Sequence, residues 1–124
     1  MALLLDTHIY LWWLNDDKKL PQTLSKLIQN ADRVYVSTVS IWEIGIKIKL
    51  GRFDADMNAI INGISACNFH ELPLVSEHVR HLMQLPVHHT DPFDRMLIAQ
   101  ARCEPLHFLT ADQTLKSYSE LVVV

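Results

Sequence analysis

The chain has 124 residues, of which 49% are hydrophobic and 20% charged, and a formal net charge of −3. That length suits one domain, and a chain of about this size can bury roughly two-thirds of its unfolded surface without a structural metal or disulfide. Eleven basic against 14 acidic residues exclude a protein that coats nucleic acid through bulk positive charge, and the low Gly and Pro content excludes a disordered or collagen-like chain.

The first apolar run, Ala2–Leu5, is short and continuous, as in a strand buried on both faces. Ile9–Leu14 is apolar on nearly every side and is expected to be helical. Leu24, Leu27, Ile28 and Ala31 recur at helical spacing, so Pro21–Asn30 is expected to be an amphipathic helix with Pro in its first turn. Val34–Ser37 is β-branched and aromatic, a second strand. Ile41, Ile44, Gly45 and Ile48 define a helix that Gly51 stops, and Met57, Ile60, Ile61 and Ile64 define the next. Glu71–Leu74 is a weak third strand. Val75, Val79, Leu82 and Met83 line a helix that Pro86 ends, and Pro92–Arg102 is helical with Phe93, Met96, Leu97 and Ala101 on one face. His107–Thr110 and Leu121–Val124 are the last strands, around a short helix at Gln113–Tyr118. Pro86–Thr90 is the longest irregular piece expected. Strands alternating with helices imply an α/β fold with right-handed crossovers and a mostly parallel sheet covered on both faces. In such sheets the chemistry sits beyond the carboxyl ends of the strands.

Acidic residues recur at those ends. Asp6 follows the first strand, and with Thr7 it suits an N-cap. Ser40 and Glu43 after the second strand have the spacing of a capping box. Asp91 before Pro92 is a cap followed by Pro at the first helical position, and Asp94 favours the helix dipole. Asp112 suits a cap for the helix at Gln113. Capping accounts for each residue singly but not for the recurrence. In a parallel sheet these junctions share one edge, and two carboxylates about 4 Å apart repel by roughly 4 kcal/mol at an effective dielectric near 20. A hard divalent cation resolves that conflict.

Four segments carry a family resemblance: Leu3-Leu4-Leu5-Asp6-Thr7-His8, Ser40-Ile41-Trp42-Glu43-Ile44, His89-Thr90-Asp91-Pro92-Phe93-Asp94-Arg95 running on to Ala101, and Leu109-Thr110-Ala111-Asp112. Over essentially its whole length the chain resembles PIN-domain ribonucleases, specifically VapC-type toxins of type II toxin–antitoxin pairs. The resemblance implies a three-layer α/β/α fold with strand order 3-2-1-4-5 and one PIN domain over residues 1–124. It implies a Mg²⁺ site, with Mn²⁺ substituting, built from Asp6, Glu43, Asp94 and Asp112, with Asp91 as an extra acid and Thr110 at a hydroxyl position near the metal water. A capping role for Thr110 stands beside that one. The implied activity is endoribonucleolytic cleavage of RNA, and the implied partners are an antitoxin and a second copy of the chain. An inactive module of the same fold that only binds RNA or protein is the competing reading, which the intact set of acids disfavours.

Lys47, Arg52 and Arg95 are candidate RNA phosphate contacts, with Lys49 and Arg102 more in keeping with a solvated helix face. Seven histidines raise a zinc site, with His78 and His81 on one helix and His88-His89 before the acidic motif, but no His-Glu-x-x-His pattern is present. His88 and His89 are expected at most to line the RNA cleft. Leu5-Asp6-Thr7 resembles the start of haloacid-dehalogenase phosphatases, yet these need a second Asp where this sequence has His8. No Gly-rich phosphate loop occurs. Trp12, Trp13, Trp42 and Ile46 make their helices apolar beyond one face, which suits either a two-sided core or a surface covered by a partner. Cys67 and Cys103 are expected to be buried thiols. With no basic leader ahead of the first apolar run and no stretch of about 20 apolar residues, a soluble cytoplasmic protein without membrane contact is expected.

Overall fold

The computed structural model describes residues 1–87, 91–119 and 121–124. In chain order these form β1 (Ala2–Leu5), α1 (Thr7–Leu14), α2 (Gln22–Asn30), β2 (Arg33–Ser37), α3 (Thr38–Lys49) and α4 (Met57–Ala66). They continue through β3 (His70–Leu72), α5 (Ser76–Leu82), α6 (Pro92–Cys103), β4 (His107–Leu109), a 3₁₀ helix (Gln113–Tyr118) and β5 (Val122–Val123). All strand pairs are parallel and the order is β3-β2-β1-β4-β5, as the family resemblance implied.

Leu3, Leu4 and Leu5 are fully buried because β1 is central and alternates its side chains between two cores. Leu3 and Leu5 join Ile9, Tyr10, Leu24, Ile28, Ile44, Ile60 and Ile64, so α1, α2, α4 and part of α3 cover one face. Leu4 joins Leu97, Ile98, Phe108, Leu115 and Val122, so α6 and the 3₁₀ helix cover the other. Burying each such side chain contributes about 1.5–3 kcal/mol relative to exposure. The chain winds from β1 to β3 on one side and returns to β4 on the other, which places the topological switch beside β1 and β4. Leu5 pairs with Leu109 there, and the Asp6 amide donates to the Leu109 carbonyl at 2.9 Å.

Helix ends explain the loops. Asp16, Gly51 and Asn68 have positive φ, and each sits one residue past the C-cap of a helix. In each case the next amide reaches back to the carbonyl three residues before the cap: Asp17 to Trp12 (2.9 Å), Arg52 to Lys47 (2.9 Å) and Phe69 to Ile64 (2.8 Å). These are Schellman turns, and Gly or Asn is the usual occupant of the left-handed position.

Several expectations are corrected. Helix α3 begins at Thr38, three residues earlier than a helix capped by Ser40 would, because the Ser37 hydroxyl accepts from the Val39 amide at 2.9 Å. No capping box therefore joins Ser40 to Glu43. Helix α5 turns Val75, Val79 and Met83 outward, with Met83 79% exposed, and buries His78 instead. Seven-residue connections also run over 15–21 and 50–56, and the last three residues of the Pro86–Thr90 piece lie outside the described residues. Strand β3 is His70–Leu72 rather than Glu71–Leu74. Cys67 and Cys103 are half-buried, not buried. His88, His89 and Thr90 lie outside the described residues. No described helix is long and apolar enough to cross a membrane.

Candidate metal centre

Asp6 is 6% exposed and directly follows β1 at the switch point. Its Oδ1 accepts from the Thr7 amide at 2.7 Å, so it caps α1 as expected. Its Oδ2 accepts from the Thr110 hydroxyl at 2.7 Å, and Thr110 Oγ1 in turn accepts from the Asp112 amide at 3.1 Å. Thr110 thus caps the next turn, the second of the roles open in the sequence, and also holds the Asp6 carboxylate. Glu43 is 5% exposed, on the second turn of α3. Its Oε1 accepts from the Thr7 hydroxyl at 2.7 Å, and its Oε2 faces Lys47 Nζ at 3.0 Å. Thr7 Oγ1 also lies 2.9 Å from Ser40 Oγ, which is why Ser40 is buried inside α3 rather than at its cap.

Asp91 caps α6 through Phe93 N (2.8 Å) and Asp94 N (3.1 Å), with Pro92 in the first turn. Asp112 caps the 3₁₀ helix through Thr114 N at 3.0 Å. Asp6, Glu43, Asp91, Asp94, Asp112 and Lys47 line one cleft of about 370 Å³, together with His8, Trp12 and Ala111. Sequence reasoning missed His8 and Trp12. Their i, i+4 spacing on the helix that Asp6 caps was the available signal.

Electrostatics mark this cleft as crowded with acids. Burial, and then the charges of Asp6, Asp91, Glu43 and Asp112, push the Asp94 carboxyl up to about 8. Burial also lifts Asp6 above the usual carboxylate range, with the Thr110 and Thr7 hydrogen bonds opposing it. Oxygen donors of this kind, crowded enough to retain a proton near neutral pH, fit a hard divalent cation. The acids stand apart: among the described residues, the only trio of His, Cys or acidic ligand atoms all within 4.8 Å of one another is His78, Cys103 and Glu104. Mg²⁺ retains several waters that bridge to outer carboxylates, so acids at this spacing can share one ion. Spacing and charge are therefore compatible.

The His78 trio is closed to metal by its hydrogen bonds. Nδ1 accepts from Val75 N at 3.1 Å and faces Gln100 Nε2 at 3.3 Å, so Nε2 carries the proton and donates to Glu104 Oε2 at 2.7 Å. A metal on Nε2 would break that arrangement. Gln100 Oε1 accepts from the Ser37 hydroxyl at 2.5 Å, so the network ties α5 and α6 to the start of α3.

The other candidate cations scatter. Arg52 and Lys47 line a second cleft next to the first. Arg95 lines neither of these, and its Nε is buried without a hydrogen-bond partner among the described residues. Arg102 borders a separate depression with Tyr118, Ser119 and Leu121. A larger cleft of about 500 Å³ beside Trp12 and Trp13 holds Asp16 and Asp17 but none of the five acids, so size alone does not locate the chemistry.

The PIN-domain family model matches residues 3–121. The chain belongs to the PIN-domain family. It is 27% identical to Ribonuclease VapC22 of Mycobacterium tuberculosis (strain ATCC 25618 / H37Rv) over 128 residues, covering 94% of this chain and 92% of that one. Its fold is similar to a solved structure of VapBC2 from Rickettsia felis bound to a DNA fragment from their promoter. The TM-score is 0.73 at 14% identity, covering 98% of this chain and 96% of that one. The PIN fold thus accounts for the sheet order and for the edge where the acids meet.

Proposed function

We propose that this PIN domain, spanning residues 1–124, is a metal-dependent endoribonuclease that acts in the cytoplasm as the toxin of a type II toxin–antitoxin pair. The observation that carries the reading is the cleft in which Asp6, Glu43, Asp91, Asp94 and Asp112 meet. The likeness to a VapC ribonuclease supports the RNA substrate and the toxin role.

Asp6, Glu43 and Asp94 would hold Mg²⁺ or Mn²⁺, with Asp91 and Asp112 binding directly or through water. An ion held there would neutralise the acids and supply an activated water for hydrolysis. Thr110 and Thr7 fix the carboxylates of Asp6 and Glu43 in advance, so these groups need not reorganise when charge develops. Lys47 holds the outer oxygen of Glu43 and presents a cation to the scissile phosphate. Asp91 and Asp112 are oriented by the amides they cap.

A partner surface is proposed on α5, where Val75, Val79 and Met83 stand exposed at i, i+4 and i+8. We assign it to a second copy of the chain. Trp42, 61% exposed and edge-on to Phe93 at 5.2 Å, is proposed to meet the antitoxin near the acidic cleft. The experiment is induction of wild type, Asp6→Asn and Asp94→Asn, followed by mapping of RNA 5′ ends. New ends and growth arrest are expected with wild type alone. Full cleavage by both variants would remove the proposal.

A further inference from the structure

Polar side chains run through the second core, on the face of the sheet that α6 covers. Ser37 and Gln100 are fully buried and His78 is 1% exposed, with Leu97, Ile98, Ala99 and Ala101 buried on either side of Gln100. Hydrogen bonds join the three in one direction. The Val75 amide donates to His78 Nδ1 at 3.1 Å, which leaves the ring proton on Nε2, and Nε2 donates to Glu104 Oε2 at 2.7 Å. Nδ1 is then an acceptor for Gln100 Nε2 at 3.3 Å, so Gln100 turns Oε1 to the Ser37 hydroxyl at 2.5 Å. Ser37 gives its only proton to Gln100, and its lone pairs are left to receive the Val39 amide at 2.9 Å. Each orientation follows from the one before it, from an exposed carboxylate just past α6 to the buried cap of α3.

That cap begins the helix that carries Glu43. Ser37 pairs with Leu72 of β3, and Thr38 Oγ1 accepts from the Leu74 amide at 3.1 Å, so the start of α3 is also fastened to β3 and to the chain entering α5. We infer that His78 and Gln100 are positioning residues for Glu43: the buried chain Glu104–His78–Gln100–Ser37 locks the start of α3 and so sets the Glu43 carboxylate before an ion arrives. The inference rests on the metal-dependent reading of the site and deepens it. An α-helix is stiff over two turns, so a shift at its cap carries Glu43 with it, and a remote misplacement of about 1 Å is enough to cost function. Core stability alone does not call for the network, because replacing hydrogen-bonded partners together by apolar groups of like shape costs little. A fully satisfied buried network instead specifies one geometry.

The test measures Mn²⁺ binding by calorimetry, and amide hydrogen exchange by NMR in the metal-free protein. Gln100→Leu breaks the chain at its middle, and His78→Gln leaves no acceptor where Nδ1 stood. Both should weaken Mn²⁺ binding about fivefold, less than the roughly 10–100-fold loss that follows removal of a direct partner of a metal ligand. In both, the Val39 amide should exchange about tenfold faster, as at a weakened cap, while Ile28 on α2 keeps its wild-type rate. His78→Asn puts Oδ1 where Nδ1 stood, accepts again from Val75 and Gln100, and should restore both readouts to within about twofold. Ile98→Val, a core change in α6 outside the network, should lower stability yet bind Mn²⁺ as wild type does. Wild-type Mn²⁺ affinity in Gln100→Leu and His78→Gln overturns the inference and leaves the metal reading standing. Equal loss in Ile98→Val also overturns it, because affinity then follows stability rather than the lock. A folded His78→Asn no better than His78→Gln overturns it as well, because the Nδ1 acceptor then does not matter. Absence of Mn²⁺ binding by wild type is a distinct result: it removes the metal reading itself, and this role of the network with it.

Discussion

Replacing Asp94 with Asn should stabilise the metal-free protein while disarming it. The Asp94 carboxyl stands at about 8 against an ordinary 3.8, because it is buried among Asp6, Asp91, Glu43 and Asp112. At about 1.36 kcal/mol per pKa unit the full shift corresponds to roughly 6 kcal/mol. Asp94 keeps part of its surface in water, so screening reduces this to about 3 kcal/mol. The folded state holds this proton more tightly than the unfolded chain does. The contribution of Asp94 to metal-free stability is therefore full below about pH 4, falls as the pH rises toward 8, and is level beyond. Asn has no proton to lose and so lacks this fall. Its loss of a first-turn charge from α6 costs only about 0.5 kcal/mol, which is smaller. Urea denaturation in EDTA at about pH 5 and pH 8.5 should show Asp94→Asn gaining on wild type by about 2 kcal/mol across that interval. Excess Mn²⁺ should return the advantage to wild type. Parallel stability curves for the two proteins over this range would refute the electrostatic reasoning.

Other expectations rest on separate features. Mn²⁺ at about 100 times its Kd should stabilise wild type by roughly 2.7 kcal/mol in thermal melts and leave Asp6→Asn almost unchanged. Thr110→Val strands a buried Asp6 oxygen and frees the Asp112 amide, so it should cost about 1–3 kcal/mol in urea midpoints and weaken Mn²⁺ binding. Gly51→Ala must hold a Cβ at φ +72; it should cost about 1–2 kcal/mol in the same assay, with no steric clash to blame. Val79→Glu with Met83→Glu should give a stable monomer by sedimentation velocity, with stability changed by under about 0.5 kcal/mol because both side chains are exposed.

The parallel α/β sheet was legible from a period and the meeting of the acids from a strand-end rule, whereas the strand order came only with the family resemblance carried by short motifs. Asp6, Glu43, Asp91, Asp94 and Asp112 do line one cleft. What could not be read required partners distant in sequence. Val75, Val79 and Met83 have the spacing of a core face, but a hydrogen-bonded His78 decides which side of α5 is buried. Ser40 and Glu43 have the spacing of a capping box, but Ser37 competes as the cap and Thr7 from α1 claims both residues. Trp12 was assigned to a core or partner surface because its neighbours Lys19 and Arg52 come into place only through turns at Asp16 and Gly51.

Three of the five acids, Asp6, Asp91 and Asp112, cap helices as well as facing the cleft. Asn, Ser or Thr would serve a cap nearly as well, so a chain that had lost all activity would still be under pressure to keep short polar residues there. Glu43 and Asp94 enjoy no such protection: neither is a cap, and Asp94 costs the empty fold stability. In any chain of this architecture, then, an acid at the cap positions testifies mainly to folding. Acids at the positions of Glu43 and Asp94 are the ones whose survival testifies to a working enzyme.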